Sequence, residues 1–389
     1  MKSAFWRSIA VVALVAVPMM ANANDATIGS EVANDALYGG TLMNTTAIFN
    51  AFPHLVTSNG TGVELNTMGD GMGKVWWEAY DELWLTMDVG RSDYGLEGAA
   101  FMWGAGYSLL EPFEGSDTFT RSNFLNLGIA KPTSGGGAWA LGVKLAPFGG
   151  TEETVGDVTD EINDTGYGFN GSWGNGNGLH IGAEFAMTTL EFVDAGDPAD
   201  VLEFSDMGFG VNARFDTSSY IYQGSFVYTT NSISETSLED IDTNVFGIEV
   251  NAGRYLKNEV DGQTSAEFGL AWAAVSEEQA DITDDGSLFL FPAVRVPSWE
   301  MITDRFGLMG GVGFSHAFAS DKLEGGDGTI PEEDKFAGAQ FDWSAGLFFQ
   351  PSDNVRIDAR FQEGNLNNVL SLGNQEELVL FLGTTVGLN

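Results

Sequence analysis

Cysteine is absent from the 389 residues, so there is no disulfide framework, no thiolate metal site and no cysteine nucleophile. Histidine occurs three times (His54, His180, His316), too little material for an imidazole-based zinc site. Bases are scarce as well: 16 Lys and Arg stand against 55 Asp and Glu, a net charge of −39. A surface that acidic repels nucleic acid, whose binding depends on cationic groups meeting phosphates. No Gly-x-Ser-x-Gly elbow, HExxH helix or phosphate-binding P-loop is found, so neither an enzymatic activity nor a cofactor is expected. Beyond Ala23 no apolar run reaches 18 residues, which excludes a transmembrane helix from that part of the chain.

Glycine, by contrast, is abundant at 51 residues, and aromatics make up 12% of the chain. There is no period-three glycine, so the excess is not collagenous. Met1 to Ala23 has the build of a secretory signal: basic Lys2 and Arg7, an apolar stretch from Ile9 to Val17, and Ala21-Asn22-Ala23 as a small-x-small cleavage site. Its removal takes two bases and no acid, leaving −39 − 2 = −41. The expected organisation is a signal over residues 1–23, an N-terminal segment over 24–59 and one β domain over 60–389.

From about Asn123 onward the chain alternates apolar with small or polar residues. Met207, Phe209, Val211, Ala213 and Phe215 interleave with Gly208, Gly210, Asn212 and Arg214; Phe246, Ile248, Val250 and Ala252 interleave with Gly247, Glu249, Asn251 and Gly253. The same holds for Ala266–Ala274, Phe341–Phe349 and Val355–Phe361. Successive side chains on a strand point to opposite faces, so each segment has one greasy face and one small or polar face. A soluble sandwich buries its greasy faces together, whereas a membrane barrel turns them to lipid. Segments of about 10 to 15 residues, a second face of Gly, Ala, Ser and Asn, and aromatics near segment ends (Tyr167, Trp173, Tyr220, Tyr228, Tyr255, Trp299, Trp343) favour the barrel. The expected fold is an all-β transmembrane antiparallel barrel.

Short turns at Pro132–Gly137, Asn175–Gly178, Asp216–Ser219 and Gln350–Asn354 would be periplasmic. Longer acidic stretches (Gly149–Thr165, Val193–Glu203, Ser232–Thr243, Glu277–Gly286, Ala319–Lys335) would be outward loops. About thirteen segments follow Asn123; Gly60–Asn66, the stretch Lys74–Gly90 and Gly98–Tyr107 bring the count to about sixteen, with fourteen as the alternative. Gly174-Asn175-Gly176-Asn177-Gly178 opens no helix and reads as a hairpin turn rather than a phosphate loop. Asp281–Gly286 has the front half of a calcium loop, but Pro292 replaces the required bidentate Glu. Loop carboxylates (Asp157, Asp160, Glu161; Glu332, Glu333, Asp334) could hold divalent cations only loosely, and no specific metal site is expected.

Charges at segment centres are the candidate functional residues: Lys144, Glu184, Arg214, Glu249, Arg254, Glu267, Asp342, Arg356, Asp358 and Arg360. An Arg or Lys facing lipid at the bilayer midplane costs about 2–4 kcal/mol, which argues for a lumen position. There they either set a field for passing ions or brace the wall by pairing. His180 and Glu184 share a strand face at four residues' spacing, about 13 Å apart, too far for a metal pair.

Residues 25–59 lack the alternation. Ala36-Leu37-Tyr38-Gly39-Gly40 followed by Ala47-Ile48-Phe49-Asn50-Ala51-Phe52-Pro53 resembles the entry segment of outer-membrane barrels distantly similar to the long-chain fatty-acid transporter family. The resemblance implies an outer-membrane barrel with a plug built on Gly39, Gly40, Ile48, Phe49, Phe52 and Pro53, and transport of hydrophobic compounds. Those transporters usually carry Asn-Pro-Ala where this chain has Ala51-Phe52-Pro53. The other reading of the segment is a periplasmic or lumen-lining tail in which Pro53 ends a short helical turn. The last strand, Glu376–Asn389, looks like a terminal barrel strand of the kind the barrel-assembly machinery reads, although it ends Leu388-Asn389 rather than on an aromatic.

Three functions follow as expectations: a pore for small solutes with modest cation preference, a channel for hydrophobic compounds, or a structural or adhesive surface barrel. In each the partners are outer-membrane lipid and lipopolysaccharide.

Overall fold

The computed structural model describes Ser30, Ala33, Leu37 and residues 48–66, 72–93, 121–145, 151–155, 158–193, 201–235, 241–259, 261–279, 282–325, 332–361 and 380–388. The signal segment, Gly39, Gly40 and Gly98–Tyr107 lie outside them. A helical turn (Ile48–Ala51) and a 3-10 helix (Pro53–Ser58) precede the strands. The strands are β1 (Gly62–Asn66), β2 (Met72–Tyr80), β3 (Leu83–Asp93), β4 (Arg121–Pro132), β5 (Ala138–Leu145), β6 (Thr151–Val155), β7 (Val158–Gly174), β8 (Leu179–Val193) and β9 (Val201–Asp216). They continue as β10 (Tyr220–Glu235), β11 (Ile241–Glu259), β12 (Gly262–Gln279), β13 (Ile282–Thr303), β14 (Phe306–Gly325), β15 (Glu332–Ser352), β16 (Val355–Phe361) and β17 (Leu380–Gly387).

Each strand pairs antiparallel with its neighbour around the ring, and β1 pairs with β17, which closes the sheet and leaves no free edge. β5 and β6 lie end to end along one side of β7, opposite residues 167–174 and 158–162, so they form one stave. The ring therefore has 16 staves. The sequence count reaches the same total by a different route, because Lys74–Gly90 is a hairpin of two strands, β2 and β3, rather than one.

The alternation has its expected sense. Phe209, Phe215, Ile248, Val250, Phe268 and Trp272 are exposed on the outside, while their polar neighbours Asn212, Arg214, Glu249, Asn251 and Glu267 are buried. Tyr220 and Tyr228 face outward eight residues apart on β10, about 27 Å along the strand, and mark two aromatic girdles. Tyr255 and Trp299 do not join them. Tyr255 shares the inward phase of Glu249–Gly253, and Trp299 packs on Phe348 inside the wall.

The short turns gather at one rim. At the β7–β8 turn, the Asn175 side chain accepts the amides of Asn177 (2.8 Å) and Leu179 (3.1 Å), with positive φ at Gly176 and Gly178, so the glycine string is a hairpin turn. At the other rim, much of what reads as acidic loop is strand. β13 has 22 residues, against about 9–11 for a membrane crossing, and carries Asp284 and Asp285 in its ladder. Glu277, Asp321 and Glu332–Asp334 are likewise strand residues, so the described parts of the stretches from Ser232, Glu277 and Ala319 are paired strand. The backbone ladder continues there through residues that do not alternate, such as Thr283–Asp285 and Glu332–Lys335.

Candidate functional site: the inner wall and the segment docked on it

The inner wall carries a paired charge network. Lys144 on β5 meets Glu184 on β8 at 3.5 Å, bridging over β7, where no bulky side chain blocks them at Gly168. Arg356 donates from Nε to Asp358 at 2.7 Å and lies 3.9 Å over the Phe348 ring. Glu267 accepts three donors: Arg295 Nε at 2.5 Å, Asn251 Nδ2 at 2.9 Å and Ser265 Oγ at 2.9 Å. Arg214 binds Asp216 through Nε at 2.5 Å and also through Nη2. These are charge-assisted bonds in a water-poor wall, where each partner offsets the other's desolvation.

The structure places the sequence candidates as follows. Lys144, Glu184, Arg214, Glu249, Glu267, Arg356 and Asp358 are buried on the inner face, and Arg360 shares their phase on β16, half-buried. Asp342 lies on β15 opposite Gly313, and its side chain is outside the described residues. Arg254 is a correction. It is exposed, in the outward phase of Phe246, Ile248 and Val250, and stands opposite Tyr220 at a girdle. The midplane penalty that argues for a lumen position falls to about 0–1 kcal/mol near the interface, so the outward position is tolerated there. Sequence reasoning missed Arg295, Lys74, Asp88 and Glu64, all buried inside. Among the described buried residues, the acids Glu64, Asp88, Glu184, Glu249, Glu267 and Asp358 number six and the bases Lys74, Lys144, Arg214, Arg295 and Arg356 five, so the inner wall is close to neutral.

The N-terminal segment docks on this wall at the short-turn end. Phe49 sets its ring edge-on to Trp76, centroids 5.4 Å apart, within a cluster that includes Phe52, Val56, Trp84, Ala130 and Ala140. Lys74 donates to Asn50 Oδ1 at 2.8 Å. Pro53 opens the 3-10 helix, where its missing N–H is not needed. His54 then sits over β7 and β8: its amide donates to Ser172 Oγ at 3.0 Å, its Nδ1 is 2.8 Å from the same hydroxyl, and its Nε2 is 2.9 Å from His180 Nδ1. The two imidazoles lie nearly parallel, centroids 5.2 Å apart. Burial, and secondarily the neighbouring His180, pushes His54 from 6.5 down to about 3. Gly174 and Gly182 leave room for this approach; a Cβ on Gly174 would meet the His54 ring at 2.5 Å.

A second anchor lies elsewhere on the ring. The amide and hydroxyl of Ser30 both donate to Asp358 Oδ2, at 2.9 and 2.8 Å, completing the carboxylate that Arg356 holds from the other side. Ala33 and Leu37 pack with Met309 and Phe348. Of the residues expected to build a plug, Ile48, Phe49 and Phe52 are buried and Pro53 is half-buried. Between the segment and β2–β7 a small cavity is lined by Phe49, Val56, Trp76, Ala140, Lys74 and Asp88. Among the described residues no three His, Asp or Glu side chains converge as a metal site.

No family model and no curated protein matches the chain. Among solved structures it is similar to a Pseudomonas aeruginosa FadL homologue, at 11% identity over 94% of this chain and 100% of that one, with a TM-score of 0.42. It is also similar to the siderophore receptor PiuA from Acinetobacter baumannii (10% identity, 73% of this chain, 49% of that one, TM-score 0.41). The unliganded ferric citrate transporter FecA is a third (11% identity, 84% and 49%, TM-score 0.41). The chain spans about half the length of those two receptors. With about one residue in ten identical, these likenesses carry no statement about a substrate.

Proposed function

We propose that this chain is an outer-membrane transport barrel, a channel for small hydrophilic solutes with modest cation preference, whose lumen is obstructed by its own N-terminal segment. One observation carries the reading. Around the ring of sixteen staves, β7 and β8 are sixth and seventh and β16 is fifteenth, so the His54 anchor and the Ser30 anchor stand on opposite walls. From Leu37 to Ile48 is eleven residues, a reach of up to about 38 Å, ample for crossing between the walls. A segment held on both walls near the short-turn rim narrows the lumen there.

The closed ring, the apolar outer face between girdles and the polar inner face support insertion in an outer membrane, where every backbone group must be paired within the protein. The Asn, Ser and charged side chains of the inner face support a hydrophilic rather than an apolar lumen. A second reading, transport of hydrophobic compounds of the fatty-acid-transporter type, is favoured by the apolar cluster of Phe49, Phe52, Val56, Trp76 and Ala140 through which the segment meets the wall, although the small cavity beside it is lined equally by Lys74, Asp88, Asn126 and Asn170. Planar-bilayer conductance of the full chain against a variant lacking residues 24–59 tests the obstruction. Higher conductance without loss of heat-modifiable barrel is expected, and unchanged conductance would overturn it. Uptake of a hydrophobic probe by vesicles, with no ionic conductance in either form, would favour the second reading.

A further inference from the structure

The contact of His54 with His180 ties the segment to the wall through two titratable rings. One ring must donate and the other accept across 2.9 Å, so the contact holds with one proton shared between facing nitrogens. With both rings protonated, two N–H groups face each other and the bond is lost. We propose that this pair is a proton-released pin: neutral, it holds the N-terminal segment on β7 and β8, and protonated, it lets the segment leave the wall. The inference rests on the obstruction proposed above for its effect on transport, but not for the release itself.

The surroundings offer the imidazolium no compensation. From β7 come Ser172, already used by His54, and Gly174. From β9 come Arg214, directly opposite His180, and Asp216, whose charge Arg214 takes up. Tyr255 on β11 lies near enough to Arg214 and Asp216 to feel both charges, and a phenol carries no charge at these pH values. From β8, Glu184 is two turns of the pleat away and is committed to Lys144. From the segment itself only Phe52 faces the rings, at 6.4 and 5.9 Å, and its first and last turns carry no charge. No uncompensated anion among the described residues faces the pair.

The sign follows from linkage. His54 takes a proton near 6.5 when released and near 3 when docked, so the released form binds more protons in between. Docking is at full strength above about pH 6.5 and weakens as pH falls towards 3. At pH 4.5 this one group favours release by about 100-fold relative to pH 8.

The absence of native cysteine makes release directly readable. In the full chain with Ala51→Cys, labelling by a water-soluble thiol reagent is measured from pH 8 to pH 4 and divided by the rate at a Ser134→Cys control, placed in the exposed β4–β5 turn. The ratio is expected to rise at least tenfold on acidification in the parent. It should stay flat when His54→Gln and His180→Gln are combined, since amides can keep the bond without titrating. A ratio that does not rise in the parent overturns the proposal, as does an undiminished rise in the double variant when its barrel is intact by heat-modifiability. Should the double variant fail to form a barrel, His180→Gln alone is read, and it must lower the acid response at least threefold. Conductance recorded in parallel separates the two readings: labelling that rises without conductance supports the pin and overturns the obstruction.

Discussion

The carbonyl oxygen of Ala51 occupies the space where a Cβ on Gly182 would stand. A glycine on β8 is thus part of the seat on which the N-terminal segment rests, and the seat is made of backbone, which cannot turn aside as a side chain can. Gly182→Ala is expected to lift the segment from the wall. Protease cleavage within residues 48–58 should then appear in the folded barrel. Gly224→Ala is the control, because its nearest neighbour would be at an ordinary 3.7 Å. Cleavage unchanged in Gly182→Ala would mean that the segment is held without that seat.

Outside the wall, depth decides what a charge costs. Val250 is opposite Gly224, midway between the outward Tyr220 and Tyr228, whereas Arg254 is opposite Tyr220 itself. Val250→Arg should destabilise the folded barrel by about 2–4 kcal/mol in lipid, and Arg254→Val should change it by about 1 kcal/mol or less. Equilibrium unfolding in urea from vesicles measures both. Equal effects would displace the membrane band from the level assigned by the two tyrosines.

How far the fold is legible follows from the period. Strand alternation encodes which face is greasy, so the outward set Phe246, Ile248, Val250, Ala252 can be read directly, and with it the buried Glu249. The same phase puts Arg254 outside; treating every strand charge as one at the midplane hides that. Arg295 is not legible because β13 slips register between Leu290 and Ala293, which reverses the inward phase from even to odd residues inside one apolar stretch. His54 and His180 are separately visible but lie 126 residues apart, and a strand period says nothing about which wall a non-strand segment meets. The acidic hairpins read as loops because runs such as Glu332-Glu333-Asp334-Lys335 lack the alternation that marks the strands elsewhere.

The Glu267–Arg295 pair is almost without exposure, and Arg295 Nε donates to Glu267 at 2.5 Å. Arg295→Met removes the cation and leaves Glu267 buried without its ion-pair partner, a loss expected at about 3–5 kcal/mol. Adding Glu267→Gln to it should restore part of that loss, and a double-mutant cycle on unfolding free energy gives the coupling. Additive losses would mean that the two residues stabilise the wall independently despite their 2.5 Å contact.

Selectivity should come from the rims rather than the inner wall. The described buried charges nearly cancel, six acids to five bases, while the whole chain carries 55 acids to 16 bases. The excess therefore lies largely elsewhere, and the tall hairpins carry much of it: Glu277 opposite Asp284, and Asp321 opposite Asp334. Like charges paired across a ladder raise the local negative potential and draw in counter-ions within about a Debye length, ~8 Å at physiological salt. Cations are thus concentrated at the entrance, while inside they meet a wall with little net preference. Reversal potentials in asymmetric KCl should show modest cation preference at low salt, weakening as salt rises because the rim field is screened first. Replacing Glu332, Glu333 and Asp334 by their amides should lower that preference at low salt and leave the high-salt value unchanged. Preference that persists at high salt would move the origin of selectivity from the rim to the inner wall, and anion preference at low salt would overturn the rim argument outright.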